Sequence, residues 1–171
     1  RDVLGVTPEL LVGEDEAALS FRGATAELAT LRVAAPAPYL VVDIGGGSTE
    51  FVLGETSVLQ SISVDLGCVR LTERCLRSQP PTEAEISDAT AVIDERLDEA
   101  LSVVDVSRAR TLVGLAGSVT TVAALALGLT AYDPLLIHHH RMSYADVDRV
   151  TRDLLSRTPA GRLEYSVMHP G

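Results

Sequence analysis

Three glycines set between two carboxylates, in the run Asp43-Ile44-Gly45-Gly46-Gly47-Ser48-Thr49-Glu50, are the residues of this chain best suited to chemistry. Glycines lack a Cβ and let backbone N–H groups turn toward an anion at little steric cost. Gly45, Gly46 and Gly47, with the hydroxyls of Ser48 and Thr49, therefore read as a phosphate cradle. Asp43 and Glu50, one at each end, carry the oxygen donors that a hard divalent cation prefers, bound directly or through water. A tight turn with polar flanks is the plainer alternative.

The flanking residues indicate what presents this loop. Tyr39-Leu40-Val41-Val42 predicts a buried strand and Phe51-Val52-Leu53-Gly54 a second one, which puts the glycines at the turn of a β-hairpin. A Walker loop needs a Lys after its last Gly, and a dinucleotide fingerprint opens a helix. The chain contains no Lys and continues as strand, so neither motif fits. A third strand is expected from Val58 to Leu66, with Val58, Ile62, Val64 and Leu66 on one face and Ser61, Ser63 and Asp65 on the other.

A second glycine loop lies in Thr111-Leu112-Val113-Gly114-Leu115-Ala116-Gly117-Ser118-Val119-Thr120-Thr121, where a strand leads into a helix expected to reach about Gly128. Amides at Gly117, Ser118, Val119 and Thr120, with the hydroxyls of Ser118, Thr120 and Thr121, would form an anion site favoured by the helix dipole. Alone, these residues also fit an ordinary strand-to-helix turn with Ser118 as N-cap. A hairpin loop followed by a strand–glycine–helix loop resembles the layout of the actin-like phosphotransferase fold.

The remaining sequence reads as scaffold. Thr82-Glu83-Ala84-Glu85 is a capping box opening a helix with Ile86, Ala89, Ile93, Leu97, Ala100 and Leu101 on its apolar stripe. Ser143-Tyr144-Ala145-Asp146 opens another, through Val147, Val150, Leu154 and Leu155, that should stop near Pro159. Ala34-Ala35-Pro36-Ala37-Pro38 is a stiff connector between a first helix, Asp15 to Leu31, and the glycine-loop region. The expected order β-β-β-α-β-α-α makes an α/β mixed sheet flanked by helices. His138-His139-His140 reads as a polar interhelical loop, because three adjacent side chains point in different directions and do not readily close one coordination sphere.

The chain has 171 residues and a net charge of −10, the size of about one domain. That charge argues against a broad nucleic-acid surface, whose affinity comes from Lys and Arg neutralising phosphates. Local cations in a cleft can override it, and Arg70 is the candidate phosphate-binding arginine; its alternative is a surface pair with an acid such as Glu73. No stretch approaches the roughly 20 apolar residues of a membrane span, and the N-terminus lacks a signal peptide's basic region. Cys68 and Cys75 have no metal-type spacing, and on one helix they would stand about 10 Å apart along its axis, too far for a disulfide. A cytoplasmic protein with reduced thiols is expected.

On its motifs the chain resembles the exopolyphosphatase and guanosine-pentaphosphate phosphohydrolase family. The family's D-I-G-G-G-S-T-E loop is matched without change at Asp43 to Glu50, its G-x-E-E-A segment is similar to Gly13-Glu14-Asp15-Glu16-Ala17, and its G-x-V-R-L segment is matched by Gly67-Cys68-Val69-Arg70-Leu71. The second loop fits at Gly114 to Ser118, and Arg162-Leu163-Glu164 with Met168-His169-Pro170-Gly171 is similar to the family's stretch before the last elements of this lobe.

The resemblance implies a ribonuclease-H-like, actin-type fold and hydrolysis of phosphoanhydride bonds, releasing terminal orthophosphate from inorganic polyphosphate or, alternatively, from guanosine pentaphosphate. It implies Mg²⁺ (or Mn²⁺) near Asp43 and Glu50, and a homodimer when the protein is full length. It makes Glu16 the catalytic base; from the residues alone Glu16 reads as an exposed helix-start acid. Asp15 departs from the family's acidic pair, and no D-x-G-x-N-S phosphate loop precedes it. Residues 1–34 are accordingly expected to be the end of a preceding lobe and 38–171 a second lobe truncated at its C-terminus, weakly active or inactive alone. An actin-like kinase and a non-catalytic polyanion- or alarmone-binding module are the readings from other classes.

Overall fold

The computed structural model describes Gly5 and residues 13–28 and 35–168; for residues 13–16 it describes the backbone alone. Four strands, β1 (Tyr39–Ile44), β2 (Thr49–Gly54), β3 (Val58–Val64) and β4 (Thr111–Leu115), form one sheet in the order β3-β2-β1-β4. β1, β2 and β3 make an antiparallel meander, and β4 joins the other side of β1 in parallel. The helices are α1 (Gly13–Thr25), α2 (Cys68–Cys75), α3 (Glu83–Val103), α4 (Ala116–Ala126), α5 (Pro134–Ile137), α6 (Tyr144–Ser156) and α7 (Pro159–Arg162). Among the described residues no helix is long and apolar enough to cross a membrane.

Alternation along the strands divides the core between the two sheet faces. Tyr39, Val41 and Val52 pack on one face against Ala17, Phe21 and Leu28 of α1 and the turn that follows it. Phe51, Leu53 and Val64 point to the other face and pack against Ala100 and Val104 at the end of α3. Phe21 is 1% exposed, and truncating such a side chain to alanine typically costs about 3–5 kcal/mol, so α1 is held firmly on the sheet.

The expected capping box at Thr82 forms, and the expected helix start at Ser143 is a second one. Thr82 accepts from the Glu85 amide while Glu85 accepts from the Thr82 amide, and Ser143 and Asp146 do the same at the start of α6. Several limits differ from expectation. The first helix spans Gly13–Thr25, and residues 29–31 of the expected helix lie outside the described residues. β3 stops at Val64, because the Leu66 amide donates to the Val64 carbonyl and turns the chain toward α2, a helix absent from the expected order. α4 ends at Ala126, where Gly128 at φ +68 lets Leu129 and Gly128 donate to the Ala124 and Leu125 carbonyls in a Schellman motif. Leu101, assigned to the α3 stripe, is 48% exposed.

Candidate active site

The register of β1 sets the two acids against each other: Asp43 pairs with Glu50 on β2 and, on its other side, with Leu115 on β4. Asp43 follows Tyr39 and Val41 by alternation, and Glu50 precedes Val52, so both acids belong to the sheet face that carries α1. Burial, and then the neighbouring Glu50 charge, raise the Asp43 pKa above its ordinary value. A cation between the two carboxylates would relieve both effects. Ser48 and Ser63 each donate to Glu50 Oε1 at 2.7 Å, which fixes the Glu50 carboxylate. Hard oxygen donors, one of them destabilised as an anion, suit a divalent metal ion of the magnesium type.

The glycine turn is shaped by α2. Cys68 donates to the Gly45 carbonyl at 3.0 Å, and Val69 and Arg70 donate to the Gly46 carbonyl at 3.0 and 3.1 Å. In a trans peptide the N–H points opposite the C=O, so drawing these two carbonyls toward α2 aims the Gly46 and Gly47 amides away from it. Among the described residues, no acceptor takes the amides of Gly46, Gly47 or Ser48. They are a run of free donors of the kind suited to an anion. The approach is close enough that a Cβ on Gly67 would lie 2.2 Å from the Gly46 carbonyl group and 2.3 Å from the Gly47 nitrogen.

Thr49 is 3% exposed and its hydroxyl donates to the Leu66 carbonyl. Its side chain therefore ties the loop to the α2 turn, and since the Ser48 hydroxyl donates to Glu50, the backbone amides are the loop's free donors. Arg70 pairs with Asp65 at 2.8 Å rather than with Glu73, and both side chains are mostly exposed. An exposed pair is worth about 0–1 kcal/mol, so an anion can take the guanidinium from Asp65 at small cost. Arg70 Nη2 lies 3.8 Å from where a Cβ on Gly47 would stand, which puts its charge beside the cradle.

The second loop leaves the same end of the sheet. α4 starts at Ala116, itself at φ +72, with Leu115 as N-cap and no side-chain cap. Ser118 thus sits inside the first turn and is not the N-cap, and the amides of Gly117, Ser118 and Val119 belong to the uncapped helix start. The first turn can lie on β4 because Gly114 has no side chain; a Cβ there would be 2.9 Å from Val119 Cγ1. The Thr120 hydroxyl donates to the Gly117 carbonyl within the helix. Gly117 is open: a Cβ on it would meet nothing within 4 Å.

The backbone of Glu16 lies in the first turn of α1, next to the buried Ala17 that packs on the acid-bearing face; its side chain is outside the described residues. Sequence reasoning placed Ser63 on a polar strand face without a role and passed over Gly67 as a close-approach residue. The signal for Ser63 was its place on the polar face of β3, and for Gly67 its place directly before α2.

The family model described as the Ppx/GppA phosphatase family matches residues 1–169. Over 175 residues the chain is 51% identical to a protein named Exopolyphosphatase 2 from Mycobacterium tuberculosis, an alignment covering 99% of this chain and 54% of that protein. It is 29% identical over 128 residues to the guanosine-5'-triphosphate,3'-diphosphate pyrophosphatase of Vibrio cholerae, covering 74% of this chain and 25% of the relative. A crystal structure of the Aquifex aeolicus Ppx/GppA family member superposes with a TM-score of 0.80 at 28% identity, over 99% of this chain and 53% of that one. The chain thus spans about half the length of the first of these relatives.

Proposed function

Since the chain belongs to the Ppx/GppA phosphatase family and has its actin-like, ribonuclease-H-like fold, we propose that it is one part of a phosphoanhydride hydrolase that releases terminal orthophosphate from inorganic polyphosphate. The observation that carries this reading is the meeting of two glycine loops at the carboxyl ends of adjacent parallel strands, with the paired carboxylates of Asp43 and Glu50 beside them. Ligands of open α/β sheets bind at that end of the strands. The 51% identity to a relative named an exopolyphosphatase, against 29% to one named a guanosine pyrophosphatase, favours polyphosphate over guanosine pentaphosphate.

In this mechanism the amides of Gly46, Gly47 and Ser48, with Arg70, hold the terminal phosphates, and the amides of Gly117, Ser118 and Val119 hold the next part of the chain of phosphates. Mg²⁺ bound by Asp43 and Glu50 would neutralise charge on the phosphate oxygens. Glu16, carried on the same sheet face as the acids, takes a proton from the attacking water. The water oxygen bonds to the terminal phosphorus, the anhydride P–O bond breaks, and orthophosphate departs. Donors already fixed by α2 and by the start of α4 need no reorganisation during the step, which is the source of their catalytic value. A cytoplasmic setting fits the two free thiols, Cys68 and Cys75.

The test is Glu16→Gln in the complete protein, measured as phosphate release from polyphosphate and from guanosine pentaphosphate. A general base contributes about 10²–10⁴-fold, so turnover should drop by that order while polyphosphate affinity is retained. Normal turnover would remove Glu16 from the mechanism. A higher kcat/KM for guanosine pentaphosphate than for polyphosphate would reverse the substrate assignment, and phosphate transfer to an acceptor without release to water would make the protein a kinase.

A further inference from the structure

A second group of ligating side chains lies apart from the loops. Glu27, in the turn after α1, meets His138 and His139, in the loop after α5, with one ligand atom from each within 4.8 Å of the other two. His138 Nε2 is 3.6 Å from Glu27 Oε2, and the two imidazole rings lie with centroids 3.7 Å apart and planes tilted by 35°. The expectation that adjacent histidines diverge fails here for a definable reason. His139 adopts the left-handed conformation, φ +59, which swings its side chain back beside that of His138. Residues without glycine's freedom hold such a conformation at a cost, and sites where they do so are frequently functional.

We propose that Glu27, His138 and His139 bind one borderline divalent ion of the zinc type. Two imidazole nitrogens and one carboxylate oxygen are a donor set suited to zinc and poorly suited to magnesium, which takes oxygen ligands. The segments that carry the ligands are anchored. Ile137, directly before His138, is 7% exposed within the cluster of Ala123 and Ala124, and Leu28, directly after Glu27, is 6% exposed against the sheet. The His138 amide donates to the Pro134 carbonyl and the His140 amide to the Ile137 carbonyl, fixing the turn on both sides of His139. The ligand atoms already lie within 4.8 Å of one another, so small side-chain adjustments bring them to the spacing of a shared ion. Solvent would complete the coordination, since His138 and Glu27 are 65% and 71% exposed. Ion binding would clip the end of α1 to the loop between α5 and α6, segments more than a hundred residues apart in sequence.

The experiment is calorimetric titration of the complete protein with zinc chloride, with magnesium chloride in parallel. Saturable zinc binding is expected that weakens at least about tenfold in His138→Gln, in Glu27→Gln and in His139→Gly, the last keeping the backbone conformation. His140→Gln, outside the cluster, should bind zinc as wild type does, and all four variants should melt normally in the absence of zinc. Zinc affinity unchanged in His138→Gln and His139→Gly, or lost instead in Asp43→Ala, would overturn the proposal, as would the absence of saturable zinc binding. Because this site stands apart from the phosphate loops, none of these outcomes depends on the hydrolase reading.

Discussion

Replacing Gly67 with alanine adds one methyl group at the point where α2 shapes the glycine turn proposed to cradle phosphate. The new Cβ would stand 2.2 Å from the carbonyl carbon and oxygen of Gly46 and 2.3 Å from the nitrogen of Gly47. Carbon atoms approach comfortably only to about 3.5–4.0 Å, so the loop or α2 must retreat by more than about 1 Å. That retreat strains the bonds from Cys68, Val69 and Arg70 to the Gly45 and Gly46 carbonyls, and with them the aim of the Gly46 and Gly47 amides. Overpacking of this kind costs about 1–3 kcal/mol, within the roughly 5–15 kcal/mol that folded domains hold in reserve. A displacement of about 1 Å in groups that position a reacting phosphate can lower the rate about 10²-fold. Gly67→Ala in the complete protein should therefore remain folded, by circular dichroism and urea titration, and lose about two orders of magnitude in kcat/KM for polyphosphate. Gly117→Ala is the control for stability, because its methyl meets nothing within 4 Å. A Gly67→Ala enzyme with kcat/KM within about threefold of wild type would refute the claim that α2 holds the cradle in its working shape.

Asp43→Asn should raise the thermal midpoint at neutral pH while lowering turnover by orders of magnitude: burial and Glu50 raise the Asp43 pKa, so its charged form costs stability in full above the folded pKa. That cost is relieved as pH falls toward and below the ordinary value of 3.8, so the gain over wild type in melting curves should shrink in acid. Ser63→Ala removes one of two donors to Glu50 and should reduce divalent-ion affinity or turnover about 10-fold, with recovery in Ser63→Thr, followed by the metal-concentration dependence of activity. The Glu85 carboxyl is pulled down to about 2 by the Thr82 amide first and then by the Arg77 and Ser78 amides. Its contribution is complete above the unfolded value of about 4.5 and disappears as pH falls through about 2. Glu85→Gln should accordingly flatten the acid limb of the stability curve, and a carboxyl titration by NMR should find the low midpoint directly.

Local chemistry explains why so much of the candidate site was legible in the chain. A run of glycines between acids, following a strand, leaves few conformations besides a hairpin turn with exposed amides. The capping boxes at Thr82 and Ser143 specify helix starts by reciprocal hydrogen bonds between residues three apart. The same locality explains the misses. Ser118 has the composition of an N-cap, yet the helix starts at Ala116 because close packing of Val119 on Gly114 brings the first turn onto β4. Arg70 and Glu73 are near neighbours in sequence, but Asp65, across the turn from β3 into α2, is the acid that meets the guanidinium.

The sequence by itself determined the residue types and spacings: amides without Cβ obstruction, two carboxylates at the loop ends, hydroxyls between them, and helices with defined starts. Only the tertiary structure decided which of these groups share a place. Parallel pairing of β1 with β4 brings Leu115 beside Asp43 across a gap of 72 residues and puts both loops at one sheet end. α2 decides which way the glycine amides point, and the packing of Phe21 decides that α1, whose backbone includes Glu16, lies on the face that carries the two acids. Likewise a left-handed residue at His139 turns adjacent histidines toward a glutamate from the far end of the chain. Strand pairing, helix docking and backbone handedness are properties of contacts between distant segments, which no short window of sequence contains.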